Sequence, residues 1–302
     1  MPLVAKMQDR FACYHPLVNL VYFALVIGFS MALTHPIAQA ISLLCALCYA
    51  VQAQGRSAVL FALKWCLPMF LLTAFINPAF SHEGMTILLY FPSGNPLTLE
   101  SLLYGLSAGA MLVTVLLWFM NFSRVFTSDK FIYLFGRIIP AMSLVLSMTL
   151  RFVPKFKAQM RAVIDAQKSI GRDISQGSVW RRIKIAVTVL SVMITWSLEN
   201  AIETADSMKS RGYGLKGRTA FSIYRFDDRD KTAMLFLGFC GFCLVSGSFV
   251  EAFGFLYFPR LRYVGINTVT MAFEFVYFAL CIMPVVLNRA EERKWKAIHS
   301  KM

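Results

Sequence analysis

The chain has 302 residues, of which 58% are hydrophobic and 15% charged, yet Lys and Arg number 30 against 16 Asp and Glu, a formal charge of +14. So few charges exclude an ordinary soluble domain, which carries about 25%. Long uncharged runs exclude a nucleic-acid binder, and the hydrophobicity excludes a disordered basic tail. What remains is an all-α polytopic membrane protein with a basic part facing the cytoplasm.

In chain order, Lys6 and Arg10 precede the first apolar run, 17–34, and hold the N-terminus inside. Pro36 breaks that run, and a second follows over 37–53. Ala38-Gln39-Ala40 has the form of a signal-cleavage site, but another apolar run continues it, so the first span reads as retained. The third run is 59–80, with Lys64 near its start, and the fourth is 102–122. Between them, 79–101 has no Lys or Arg and reads as an outer loop. Within it a strand-like 86–91 leads into the turn residues Phe91-Pro92-Ser93-Gly94-Asn95-Pro96. Gly105 and Gly109 form a G-x-x-x-G, which lets helices approach closely. The fifth and sixth runs are 232–250 and 264–288, and the tail from Arg289 holds five Lys/Arg and lies inside. Arg260 and Arg262, in the short outer loop, are exceptions to the charge rule.

Two further stretches, 131–150 and 185–198, are apolar enough to need arbitration. If both crossed, residues 151–181 would lie outside with seven Lys/Arg; if only the second crossed, the basic stretch around Arg211 would. Either outcome violates the positive-inside rule, so both read as helices on the inner membrane face. The expected organisation is therefore 1–122 with four spans, 123–231 as a cytoplasmic coupling-helix region, and 232–302 with two spans and a basic tail, about six spans in all. No internal repeat or low-complexity linker is evident.

Residues 121–230 hold 18 Lys/Arg and nine Asp/Glu, a net of +9 and most of the chain's excess. Lys157, Arg161, Asp165, Lys168 and Arg172 recur at spacings of 4, 4, 3 and 4, one helix face, and Phe152, Phe156, Met160 and Val163 form another. Asp165 is placed to pair with Arg161 and Lys168, at about 0.2–0.5 kcal/mol each. A second helix carries Ile185, Val189, Met193 and Trp196 on an apolar face, with Glu199, Glu203, Asp206 and Ser210 together on an acidic one. It ends at Ser210-Arg211-Gly212-Tyr213-Gly214, where Gly212 or Gly214 can take the left-handed cap and Arg211 presents a planar fork suited to a carboxylate. Binding of these basic helices to anionic headgroups is the plainer alternative.

At these residues the sequence resembles the transmembrane T component of energy-coupling factor (ECF) transporters, a family that includes cobalt-transport permeases. The resemblance rests on Pro140…Leu150-Arg151-Phe152-Val153-Pro154, on Ala166-Gln167-Lys168-Ser169-Ile170-Gly171, and on Ala205-Asp206-Ser207-Met208-Lys209-Ser210-Arg211-Gly212-Tyr213-Gly214 followed by Gly217-Arg218-Thr219. Ile76-Asn77-Pro78…Leu97-Thr98-Leu99-Glu100 adds to it. The resemblance implies two X-Arg-Gly-type motifs, each ending a coupling helix that docks on one of two ATP-binding-cassette ATPase subunits. Ser210-Arg211-Gly212 matches the second. The first departs: Ile170 stands where the family usually has Arg, with Gly171 kept, so Lys168 or Arg172 would supply the charge or an apolar contact would replace it. The resemblance also implies that the apolar stripes pack on a separate substrate-binding membrane S component or on the spans, and that the chain sits in a bacterial or archaeal cell membrane with both termini cytoplasmic.

No Walker A pattern is present, so no ATP hydrolysis is expected of this chain. His82-Glu83 lacks the second His of a zinc-protease motif, and the C-x-x-C pairs Cys45/Cys48 and Cys240/Cys243 read as small apolar helix residues. No catalytic, metal or cofactor residues are expected, and no nucleic-acid partner. Glu251 sits at a span end. Glu274, mid-span, is the competing feature: as an ion-coupling carboxylate it would make the chain a stand-alone secondary transporter or channel, and otherwise it is a hydrogen-bonded group between helices. The resemblance implies a vitamin or a transition-metal ion as cargo, selected by the S component.

Overall fold

A computed structural model of the chain describes residues 9–81, 83–90, 96–173, 175–215, 224–250, 253–263 and 267–299. Lys6, His82, the turn at 91–95, Gly217-Arg218-Thr219 and Glu251 lie outside the described residues. The helices gather into two compact units, Met1–Thr127 with Tyr224–Met302, and Ser128–Ile223.

The first unit opens with α1 (Pro16–Ala32), whose start is fixed by Pro16 in the first turn and by His15 Nδ1 accepting the Leu17 N–H. Helix α2 (Pro36–Gln54) follows. Next, α3 (Arg56–Phe61) and α4 (Leu67–Phe80) are joined by one π-helical turn, Ala62–Cys66. Pro68 has no N–H to give Lys64 and its ring crowds that carbonyl, which is a reason for the wider turn. Strands β1 (Ile87–Tyr90) and β2 (Pro96–Thr98) pair antiparallel, Ile87 opposite Thr98 and Tyr90 opposite Pro96. Thr98 Oγ1 then caps α5 (Leu99–Val125) by accepting the Ser101 N–H. After the second unit come α9 (Asp228–Phe249), opened by a capping box of Asp227 and Asp230, the short strands β3 (Phe255–Leu256) and β4 (Arg262–Tyr263), and α10 (Thr268–His299).

Six described helical segments are long and apolar enough to cross a membrane: Pro36–Gln54, Arg56–Phe80, Leu99–Val125, Val179–Ser210, Asp228–Phe249 and Thr268–Arg293. The shorter α1, at 17 residues, is also apolar. The chain is thus an all-α polytopic membrane protein. One of the six, Val179–Ser210, contains the 185–198 stretch that charge placement assigns to the inner face.

Helix α5 lies backbone to backbone on α4 through the G-x-x-x-G. A Cβ on Gly105 would stand 2.8 Å from the Ala74 carbonyl oxygen, and one on Gly109 would stand 3.0 Å from that of Phe70. Pro78, inside α4, leaves the Ala74 carbonyl without its helical donor, so the atom that Gly105 approaches is one the helix has freed. Elsewhere the core is bridged by polar groups. Trp118 Nε1 donates to Ser42 Oγ (3.0 Å), Ser42 Oγ is 2.7 Å from Ser30 Oγ, and Ser30 Oγ is 3.0 Å from Tyr277 Oη. These bonds tie α1, α2, α5 and α10 where lipid offers no competing partner.

The contacts also sort the helix ends. At one end, Tyr49 and Asn288 both donate to Asp9, Asn288 Oδ1 accepts the Phe11 N–H, and Asp230 accepts the His15 N–H. At the other, Thr86 donates to Glu100 and Tyr257 Oη donates to the Thr34 carbonyl. Residues 9–15, the start of α9 and Asn288 thus share one end, and the β1–β2 hairpin lies at the other.

In the second unit the run 131–150 is not one helix. Pro140 forces Ile139 out of the helical region, to φ −132°, and divides α6 (Ser128–Ile138) from α7 (Pro140–Ser169). Helix α8 (Val179–Ser210) packs on α7. Phe156, Met160, Val163 and Ile164 meet Ile185, Val189, Met193 and Trp196, and Phe152 stacks on Trp196 at 5.6 Å. This corrects an expectation: the two apolar stripes bury each other and are not free for a partner or the spans. A second apolar row, Ile183, Val187, Leu190, Ile194, Leu198 and Ile202, runs along another side of α8 and is exposed.

Candidate coupling surface

Both long helices of the second unit end in the same way. At the end of α7, Ile170 is the cap, Gly171 is left-handed (φ +78°), its N–H reaches the Lys168 carbonyl, and the Arg172 N–H reaches that of Gln167. At the end of α8, Arg211 is the cap, Gly212 is left-handed (φ +74°), its N–H reaches the Lys209 carbonyl, and the Tyr213 N–H reaches that of Met208. Each is a Schellman motif, which a side chain at the left-handed position would strain. Ser169 Oγ and Ser210 Oγ each donate back to their own helix, to the Asp165 and Ser207 carbonyls. Ile170 and Arg211 therefore occupy equivalent places.

This equivalence exposes a repeat that escapes a scan by eye. Asp165-x-x-Lys168-Ser169-x-Gly171 and Asp206-x-x-Lys209-Ser210-x-Gly212 share four residues at the same spacing. The signal is short and degenerate, and it becomes visible only when the caps are matched.

The electrostatics of the tips differ in detail. Lys157, Arg161, Lys168 and Arg172 are exposed, as the spacing predicts. Asp165 forms no ion pair with Arg161 or Lys168 within 4.0 Å; Lys168 Nζ instead lies 4.0 Å from Asp173 Oδ2. Ordering two long exposed side chains costs entropy comparable to the small gain of such a pair. The Ser175 N–H, 2.9 Å from Asp173 Oδ1, and the Ser175 hydroxyl hold the Asp173 carboxyl below the usual carboxylate range, with a smaller contribution from Lys168. From the first turn of α8, Arg181 Nη2 donates to the Gly171 carbonyl at 3.2 Å. Sequence spacing gives no hint of that contact. At the second tip, Arg211 is exposed beside Lys209.

Glu274 is buried on α10, and its Oε1 lies 2.8 Å from Nδ1 of His35, the residue preceding α2. The two atoms lack hydrogen-bond alignment, and the contact is an ion pair only when the imidazole carries its second proton. The partner comes from 239 positions away, and no local pattern announces it. Among the described residues all seven cysteines are free, and no group of three or more His, Cys, Asp or Glu could hold a metal ion.

The pattern for the cobalt transport protein family, CbiQ, matches residues 15–221, a stretch that contains both tips. The chain belongs to the CbiQ family. It is similar to proteins named energy-coupling factor transporter transmembrane protein EcfT. That of Bacillus selenitireducens is 33% identical over 94 residues, 31% of this chain and 35% of that protein. That of Lactobacillus helveticus is 32% identical over 99 residues, 32% and 36%. A third, EcfT 1 of Listeria monocytogenes, is 30% identical over 109 residues, 35% and 41%. The chain therefore spans between a third and a half of the length of these curated relatives. For a CbiQ-family membrane protein, paired basic helix tips are the feature that asks for a role.

Proposed function

We propose that this chain is the transmembrane coupling subunit of an ECF-type importer, passing conformational change from two ATP-binding-cassette ATPase subunits to a separate S component that binds a vitamin or metal ion. The observation that carries this reading is the pair of matched Schellman tips, Lys168-Ser169-Ile170-Gly171-Arg172 and Ser210-Arg211-Gly212, on two helices packed into one body. A tip fixed by its cap presents its side chains at a defined point, and a stiff body transmits displacement from one site to another. An ATPase whose affinity for the tips differs between nucleotide states would shift that body by the difference. The chain itself hydrolyses nothing in this scheme. The exposed row from Ile183 to Ile202 on α8 is then the surface for the S component, since the inner stripes are already buried. The end of the first unit carrying residues 9–15 and Asn288 faces the cytoplasm, with both termini, in keeping with the basic tail and the Lys- and Arg-free loop 79–101.

The competing reading, a stand-alone transporter driven through Glu274, needs a carboxylate open to ions, whereas Glu274 is occupied by His35. The test is copurification. The tagged chain in mild detergent should retain ATP-binding-cassette subunits, and Arg211→Glu should weaken that retention by about 2–5 kcal/mol, the loss typical of a docked charge contact. Flux through this chain alone in liposomes, with no ATPase recovered, would overturn the proposal.

A further inference from the structure

The coupling proposal leaves the first tip without its expected cation, because Ile170 fills the position that Arg211 fills in the second. We infer that Arg181, reaching back from the start of α8, supplies that cation and is the first tip's contact for an acidic groove on an ATPase subunit; this inference rests on the coupling reading.

Three observations place the side chain. Its Nη2 is bonded to the carbonyl of Gly171, the residue beside Ile170, so the guanidinium sits at the cap itself. Gly177 (φ +97°) clears the way: a Cβ there would stand 3.1 Å from Arg181 Cδ, so the glycine lets the stem lie across the connecting loop. Finally, the position is poor for an Arg on local grounds. Arg181 is in the first turn of α8, where the helix dipole disfavours a cation. The negative carbonyl end of α7 offsets this, which holds the guanidinium at the first tip.

The charge count agrees. Lys168, Arg172 and Arg181 less Asp173 leave the first tip at +2, equal to Lys209 plus Arg211 at the second. Without Arg181 the first tip would carry half as much. Lys168 has its charge partly offset by Asp173, 4.0 Å away. Arg172 is exposed but has no such anchor, whereas a guanidinium already held by one bond loses less freedom when it docks. Four of the five Arg181 donors remain for a bidentate carboxylate.

The test uses the tagged full-length chain with the ATP-binding-cassette subunits that copurify with it, scoring their retention across a salt series. Arg181→Gln should weaken retention roughly tenfold or more and flatten its salt dependence, while Arg172→Gln does less. A purely structural cap would give a similar first result, so the deciding variant is the double one. Ile170→Arg in the Arg181→Gln background should restore retention, because it returns a cation to the tip without rebuilding the bond to Gly171. Loss without rescue, or no loss from Arg181→Gln while Arg211→Glu does release the ATPases, overturns the role of Arg181 alone. Full retention by both Arg181→Gln and Arg211→Glu overturns the coupling reading itself. If Arg181→Gln weakens binding only to anionic phosphatidylglycerol vesicles and leaves the ATPases in place, the side chain serves the lipid surface and the inference falls.

Discussion

Replacing His35 by Leu strands the Glu274 carboxylate. With the carboxylate ionised and the imidazole protonated, 2.8 Å and an effective dielectric constant of about 20 give a gross attraction of about 6 kcal/mol. Several kcal/mol are lost in taking each ion out of water, so the pair as a whole contributes little. Removing one partner is different, because the other stays buried and uncompensated, at about 3–5 kcal/mol. His35 and Glu274 are 5% and 8% exposed, so neither can turn into water without repacking. Glu274→Leu should be milder, about 1–3 kcal/mol, because it leaves a polar imidazole rather than a carboxylate buried without its partner. The double Leu variant should recover most of the loss. Four buried thiols, Cys45, Cys66, Cys240 and Cys281, give the assay: a thiol-reactive fluorophore reports their exposure on heating in detergent. A loss of 3–5 kcal/mol should lower the midpoint by roughly 5–8 °C. If the double variant falls by the sum of the two single losses, the side chains do not act as a pair and the reasoning fails.

Gly105→Ala and Gly109→Ala should each destabilise the α4–α5 contact by about 1–3 kcal/mol in the same thermal assay, because their Cβ atoms meet backbone carbonyls, while Gly28→Ala, with nothing within 4 Å, should be neutral. Trp196→Ala should cost the α7–α8 pair about 3–5 kcal/mol and raise hydrogen exchange over 152–164 and 185–196 with little change in the first unit. For Asp173 the folded pKa is depressed, so its contribution to loop order is complete above the unfolded value near 3.9 and fades as pH falls through the lower folded value. The protection of the Ser175 amide relative to its intrinsic exchange rate should therefore hold at pH 4 and fall below it; protection that disappears by pH 5 would show that the carboxylate does not hold this turn.

Periodicity gives the faces of α7 and α8 correctly, because spacings of 3 and 4 leave no other arrangement for Phe152, Phe156, Met160 and Val163. It does not say what a face meets. Two apolar stripes in one chain can bury each other, and here they do. The end of α8 was legible only as Gly212 or Gly214, since either glycine can be left-handed, the end at Gly171 came from the family resemblance alone, and the break at Pro140, though it follows from the effect of proline on Ile139, was not drawn from the sequence. The close approach of α5 to α4 was half legible: Gly105 and Gly109 announce a tight contact without naming its partner. Contacts made by fold alone were not. Nothing near His35 points to Glu274, and nothing near Arg181 points to the Gly171 carbonyl, because each depends on where the intervening chain turns.

The length of α8 has a mechanical meaning. The first tip adjoins its beginning and the second is its end, so the 32 residues of α8 act as a ruler of about 48 Å between the two tips. With the α7 stripe packed against Ile185 to Trp196, that part of the ruler resists bending. If two ATPase subunits grip its marks, as proposed, they could not change their separation by compressing it; they would have to tilt it. Under the proposed coupling, closing of the ATPases would thus be delivered to the membrane as a rotation, and inserting four residues between Trp196 and Lys209 would lengthen the ruler by about 6 Å while leaving the α7 contact in place.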